Sequence, residues 1–201
     1  MKKLGILLIF LMSFTGTAFA NINDDPSIFL ESIAKKMIDA VEKNKESIKT
    51  DASIAENLVR KHLLPVIDTN TFSKKTLGKK RWKSMSPSQQ TKFTNNYVEQ
   101  IIGKYAKGLS LYDGQAFEFE KAEIRSNKAR VKSSMKQSGS QPLSIVYFLG
   151  KSANQWLITN IYVEGTNMTK SYKNQFLPRI NEIGIDKFIK ELSESNKSAS
   201  K

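Results

Sequence analysis

No cysteine occurs anywhere in the 201 residues. That excludes disulfides, thiolate catalysis, Cys-ligated zinc, iron–sulfur clusters and a lipid-modified N-terminal cysteine. Histidine occurs once, at His62, so no His-based metal cluster can form. Beside Leu63 and Leu64, near a helix end, that imidazole reads as a dipole-stabilised surface group. The chain also lacks G-x-S-x-G, G-x-x-x-x-G-K-[ST] and G-x-G-x-x-G. Ser32-Ile33-Ala34-Lys35 fits S-x-x-K, but its partner motifs S-D-N and K-T-G are missing. No carboxylate lies inside an apolar run where desolvation would raise its pKa. Glu118 and Glu120 alternate with Phe117 and Phe119, Asp68 sits in a helix connection, and Asp113-Gly114 is a turn pair. The expectation is a binding protein, with no catalytic residue, no metal and no cofactor.

Long apolar runs are equally scarce. Lys2 and Lys3 precede the apolar stretch Leu4–Leu11, and Ala18-Phe19-Ala20 supplies a small-x-small cleavage pattern. Residues 1–20 therefore read as a secretory signal peptide, leaving 21–201 as one domain, expected to be soluble and freely diffusible outside the inner membrane. No other segment approaches the roughly 18 consecutive apolar residues of a membrane span. Removing residues 1–20 lowers the formal charge from +13 to +11. The positive charge comes from 27 lysines against 5 arginines. A nucleic-acid reader favours the guanidinium fork over the ammonium group, so nucleic acid is not expected as a partner. Anionic headgroups stay open as an alternative.

Periodicity divides the chain into helices, then strands, then helices. Asp25-Pro26 starts a helix whose stripe Phe29, Ile33, Met37 and Val41 runs to about Ile48. A second helix starts near Ser53 and ends at Leu64-Pro65. A short one from Thr69 ends at Gly78, read as a left-handed cap. Ser86-Pro87-Ser88-Gln89 is a capping box, opening a long helix with Phe93, Tyr97, Ile101, Tyr105 and Leu109 four residues apart. From residue 116 the period becomes 2, and four strands are expected around 117–120, 129–135, 143–149 and 155–164. The third is almost continuously apolar and is expected to be central and covered on both faces. Helices return near Thr169 and Asp186, and 193–201 reads as a frayed polar tail. The fold class is α+β, with an antiparallel sheet.

Several landmarks, each weak alone, keep one order over residues 26–192. They are Leu64-Pro65, Leu77-Gly78 with Trp82, Ser86-Pro87-x-Gln89, Tyr105-Ala106, Leu109, Tyr112-x-Gly114-Gln115, Trp156, Val163-Glu164-Gly165 and Gly184-Ile185-Asp186. Together, behind a signal peptide, they resemble the MlaC family of phospholipid-binding proteins, also known as toluene-tolerance Ttg2-type proteins. Asn160 stands where that family commonly has Asp, and Thr166-Asn167 replace its usual Val-Ser. The resemblance implies an NTF2-like α+β fold enclosing an apolar pocket for acyl chains. It implies a periplasmic, monomeric carrier with phospholipid as cargo, maintaining outer-membrane lipid asymmetry. Its implied partners are an inner-membrane ABC transporter with an MCE-domain subunit and an outer-membrane lipoprotein–porin complex.

A two-chain phospholipid carries some thirty methylenes at about 0.8 kcal/mol each, so a soluble carrier must enclose the tails. The inward positions of the long helix and of the sheet are the pocket candidates. These are Phe93, Tyr97, Ile101, Tyr105 and Leu109, then Val131, Tyr147, Leu149, Trp156 and Tyr162. The same apolar faces would equally serve a filled core. An NTF2-like isomerase or dehydratase, or a chaperone with an apolar groove, are the other readings. The run Lys74, Lys75, Lys79, Lys80, Arg81 and Lys83, with Trp82 inside it, is either a solvated linker or a docking patch for acidic partner surfaces or anionic headgroups.

Overall fold

A computed structural model describes residues 25–199 except Asn154; residues 1–20, read from the sequence as a signal peptide, lie outside the described residues. The first expected helix is two. Helix α1 (Pro26–Lys43) starts where the Asp25 carboxylate accepts from the Ser27 N–H at 2.8 Å. It stops at Asn44, whose side-chain amide donates to the Ala40 carbonyl at 2.7 Å and competes with the helix's own bonding. Helices α2 (Lys45–Thr50) and α3 (Ala52–His62) follow, then a 3-10 turn at Leu64–Val66. Asp68 caps α4 (Thr69–Leu77), and α5 (Lys79–Ser84) follows directly. Helix α6 (Pro87–Leu109) carries the expected capping box, Ser86 to the Gln89 N–H and Gln89 back to the Ser86 N–H.

Gly78 joins α4 to α5 at φ +81°, ψ 150°. The positive φ matches the expectation of a cap, but this ψ belongs to the extended mirror region that glycine alone occupies at low cost. Gly78→Ala is expected to lose about 1–3 kcal/mol of stability, read as a lower urea midpoint at unchanged slope.

The sheet has six strands rather than four: β1 (Ala116–Phe119), β2 (Glu123–Arg125), β3 (Lys128–Lys136), β4 (Leu143–Ser152), β5 (Gln155–Val163) and β6 (Thr166–Asn167). Strands β2 and β6 are three and two residues long, too short to show alternation. The order is β1-β3-β4-β5-β6, with β2 also paired to β3, and every pairing is antiparallel. Strand β4 is central as expected, but not covered on both faces. Ile145 and Leu149 are buried on one side, while Val146 and Phe148 on the other are only half-buried.

A bulge controls the far end of the sheet. Leu149 pairs with Ile158 but Phe148 pairs with Asn160, so Thr159 is an extra residue on β5. One inserted residue reverses the side-chain parity beyond it. Trp156 and Ile158 face inward; past the bulge, Ile161 does, opposite Tyr147 and Val131. Helices α7 (Met168–Ile183) and α8 (Ile185–Ala199) close the chain. The tail expected to fray from residue 193 continues α8 instead, and the Asn196 amide donates to the Asn96 carbonyl at 2.8 Å.

Apolar packing forms two clusters rather than one. The larger joins α1, α4, α6, α7, α8 and the inner sheet face through Phe93, Tyr97, Val131, Leu149, Trp156, Tyr172 and Phe176. The smaller joins α1, α2, α3 and the C-terminal half of α6 through Met37, Val41, Ile48, Ala55 and Ala106. A small domain ordinarily has one contiguous core. Helix α6 spans both clusters.

Candidate functional site

The stripe on α6 opens as it leaves the larger cluster. Phe93 and Tyr97 are 0% and 1% exposed, Ile101 is half-buried, and Tyr105 is 42% exposed. Tyr105 belongs to neither apolar cluster. Its hydroxyl is nonetheless pushed up from the usual phenol value, with burial as the sole cause. The ring meets water while the hydroxyl is shielded by protein, so the tip of the side chain turns inward.

Two other shielded phenols lie near Tyr105. Burial raises Tyr147 on β4 and Tyr172 on α7 to about 12, and both feel the Tyr105 hydroxyl electrostatically. Phe119 on β1 places its ring centroid 6.2 Å from that of Tyr147, and Phe117 lies 6.3 Å from Phe119. Lys104 stands at the edge, its ammonium 5.1 Å from the centre of the Tyr172 ring. Half-buried Ile33, Ile101 and Ile161 pack against the larger cluster. The region around Tyr105 thus combines aliphatic and aromatic surface, a few hydroxyls and the Lys104 ammonium.

The ten pocket candidates separate by depth. Ile101 and Tyr147 are half-buried against the larger cluster, and Tyr105 is exposed and close enough for Tyr147 to feel its hydroxyl. Phe93, Tyr97, Val131, Leu149 and Trp156 are packed solidly behind them. Tyr97 is locked by a 3.1 Å bond from the Thr76 hydroxyl and by edge contacts to Tyr172 and Phe176. Leu109 is a correction, because it packs on the smaller cluster between helices. Tyr162 is another, because the bulge at Thr159 turns it to the outer sheet face, 5.1 Å from Phe148 between ring centroids. The pocket candidates did not include Tyr172, Phe119, Ile33 or Ile161, which lie beside them. Ile33, in the stripe of the first helix, and Phe119, alternating with Glu118 and Glu120, carried a local signal.

The raised phenols give a pH signature. Unfolded tyrosine ionises near 10, whereas Tyr147 and Tyr172 hold their protons to about 12. Their stabilisation is complete below the unfolded value and is lost as the pH rises through the folded one. A spectrophotometric titration should show their phenolate absorbance appearing together with alkaline unfolding, later than free tyrosine.

The basic run is not a linker. Lys74 and Lys75 end α4, Lys79 to Lys83 form α5, and Trp82 is buried in the larger cluster. Arg81 is engaged by Asn181 at 2.7 Å, and Lys75 donates to the Thr159 carbonyl at 2.9 Å. Lys74, Lys75 and Lys79 line a cleft of about 700 Å³ between α4 and α7. Lys79, Lys80 and Arg81 line an adjoining one of about 470 Å³. Lys83 lines neither.

Residues 31–194 match the family model described as MlaC protein. The chain is 26% identical to the intermembrane phospholipid transport system binding protein MlaC of Haemophilus influenzae, over 96% of this chain and 92% of that protein. It is 23% identical to the toluene tolerance protein ttg2D of Pseudomonas putida, over 80% of this chain and 75% of that one. The fold resembles that of a phospholipid-binding protein from Ralstonia solanacearum solved in complex with a phospholipid. The TM-score is 0.72 at 22% identity, covering 85% of this chain and 98% of the other.

Proposed function

This chain belongs to the MlaC family, and from that premise we propose that it carries phospholipid, enclosing the acyl chains in a hollow beside Tyr105. One observation supports this above the others: residues 31–194 match the family model, and a relative named for intermembrane phospholipid transport matches over 96% of this chain. Tyr105, reachable by water with its hydroxyl shielded, is the apolar surface assigned here to the tails. Each methylene moved from water to such a surface gains about 0.8 kcal/mol, so tail enclosure supplies the affinity and needs no catalyst. The margin at Lys104 suits a phosphodiester, with the headgroup left in water.

The finer reading rests on the family resemblance. As a secreted protein in the periplasm, the carrier would shuttle lipid between an inner-membrane MCE-domain ABC transporter and an outer-membrane lipoprotein–porin complex. This traffic would maintain lipid asymmetry. Native mass spectrometry with lipid extraction tests the core of the proposal. Purified protein is expected to hold roughly one diacyl phospholipid per chain, the number one hollow can enclose without exposing tails. Protein with no lipid, or with one water-soluble metabolite in its place, would overturn it.

A further inference from the structure

The cleft between α4 and α7 gathers five lysines from segments almost a hundred residues apart. Lys74, Lys75 and Lys79 come from the α4–α5 corner, and Lys170 and Lys173 from the first two turns of α7. No lining residue of the cleft is a carboxylate. Among the described residues these five lysines form no ion pair, whereas Lys132 and Lys136 on β3 pair with Glu120 at 3.3 Å and with Glu118. The nearest acid, Asp68, spends its two oxygens on the Thr71 N–H and hydroxyl at 2.8 and 2.6 Å.

Like charges do not converge without cost. Lys173 reaches over the chain at Gly78, where an added Cβ would lie 3.6 Å from its ammonium. The C-terminal carbonyls of α4 there offset part of the repulsion. Nothing comparable serves Lys170, because cations are unfavourable in the first turn of a helix and α7 has no acid there. Lys75 is held below the ordinary lysine value, first by burial, with Asp68 opposing and Lys128 adding to it. The amide of Asn174 adds a neutral donor to the lining.

We propose that this cleft binds a phosphate group, gripped by the ammonium groups of Lys74, Lys79, Lys170 and Lys173. A compact, multiply charged oxyanion is the partner that ammonium point charges serve well. The concavity selects against a folded acidic surface, which is convex and cannot enter it. The cleft is separate from the hollow. On α7, Tyr172 and Phe176 point into the core while Lys170, Lys173 and Asn174 line the cleft. The phosphate belongs either to a lipid headgroup at a membrane surface or to a free phosphate ester.

Calorimetric titration of the purified chain with sodium pyrophosphate at low ionic strength tests the site. Saturable binding is expected, weakened at least about tenfold in the double variant Lys79→Gln with Lys173→Gln, since two charge-assisted hydrogen bonds to the anion are lost. Lys132→Gln with Lys136→Gln removes the same charge elsewhere and should leave the affinity unchanged. Flotation with phosphatidylglycerol vesicles separates the sources. Capture that pyrophosphate competes away, and that the Lys79/Lys173 variant loses, identifies a headgroup; pyrophosphate binding without capture identifies a free ester. Absence of pyrophosphate binding, equal weakening in both double variants, or preference for a glutamate-rich peptide over pyrophosphate would overturn the proposal. Lipid extraction from the Lys79/Lys173 variant should match that from the parent chain, so failure of the carrier reading would be seen separately.

Discussion

Tyr105→Glu is expected to yield a folded protein that retains no phospholipid. Tyr105 is already reachable by water, so a carboxylate there stays hydrated and the fold tolerates it. Acyl chains would strip that water away, and burying an unpaired carboxylate costs several kcal/mol. Occupancy should fall at least about a hundredfold, one factor of ten for each 1.4 kcal/mol. Tyr105→Phe keeps the ring and should load normally. Lipid-to-protein ratios after extraction, with circular dichroism to verify folding, decide the matter. Full occupancy in Tyr105→Glu would place the tails elsewhere.

Trp156→Ala should do the opposite, breaking the fold rather than the cargo site. The indole is 2% exposed in the larger cluster, with Lys151 stacked 5.5 Å from its ring centre. Truncating a buried Trp costs about 3–5 kcal/mol, a large share of the roughly 5–15 kcal/mol that holds a domain together. Urea denaturation should show that loss. A midpoint like that of the parent chain would mean the indole lines open space. The same logic moves Leu149 from the pocket to its foundation: Leu149→Arg would bury a charge in packed core and fail to fold.

Much of the fold is written locally. The capping box at Ser86, the Asp caps at Asp25, Asp51 and Asp68, and the i+4 stripe on α6 act within a few residues, so one pass along the chain finds them. The period change at residue 116 marks the sheet in the same way. Depth along a stripe is different. Phe93, Tyr97, Ile101 and Tyr105 are indistinguishable in pattern, yet the first two are buried, Ile101 is half-buried and Tyr105 is exposed.

The sequence by itself determined the α+β class, the long central helix, the antiparallel meander and, through widely spaced landmarks, the family. Each of these rests on hydrogen bonds and hydrophobic periods that close over short stretches. The tertiary structure decided where the apolar faces meet and where they stand apart. Parity on β5 depends on one extra residue, Thr159, whose bulge exists only against β4, so Tyr162 and Ile161 exchange faces with no local warning. The two apolar clusters stand apart along the shared helix α6, and the basic cleft forms because α7 returns Lys170 and Lys173 to the end of α4. Both are made by contacts between segments far apart in the chain, and a period read along the sequence contains no information about which distant face will lie opposite.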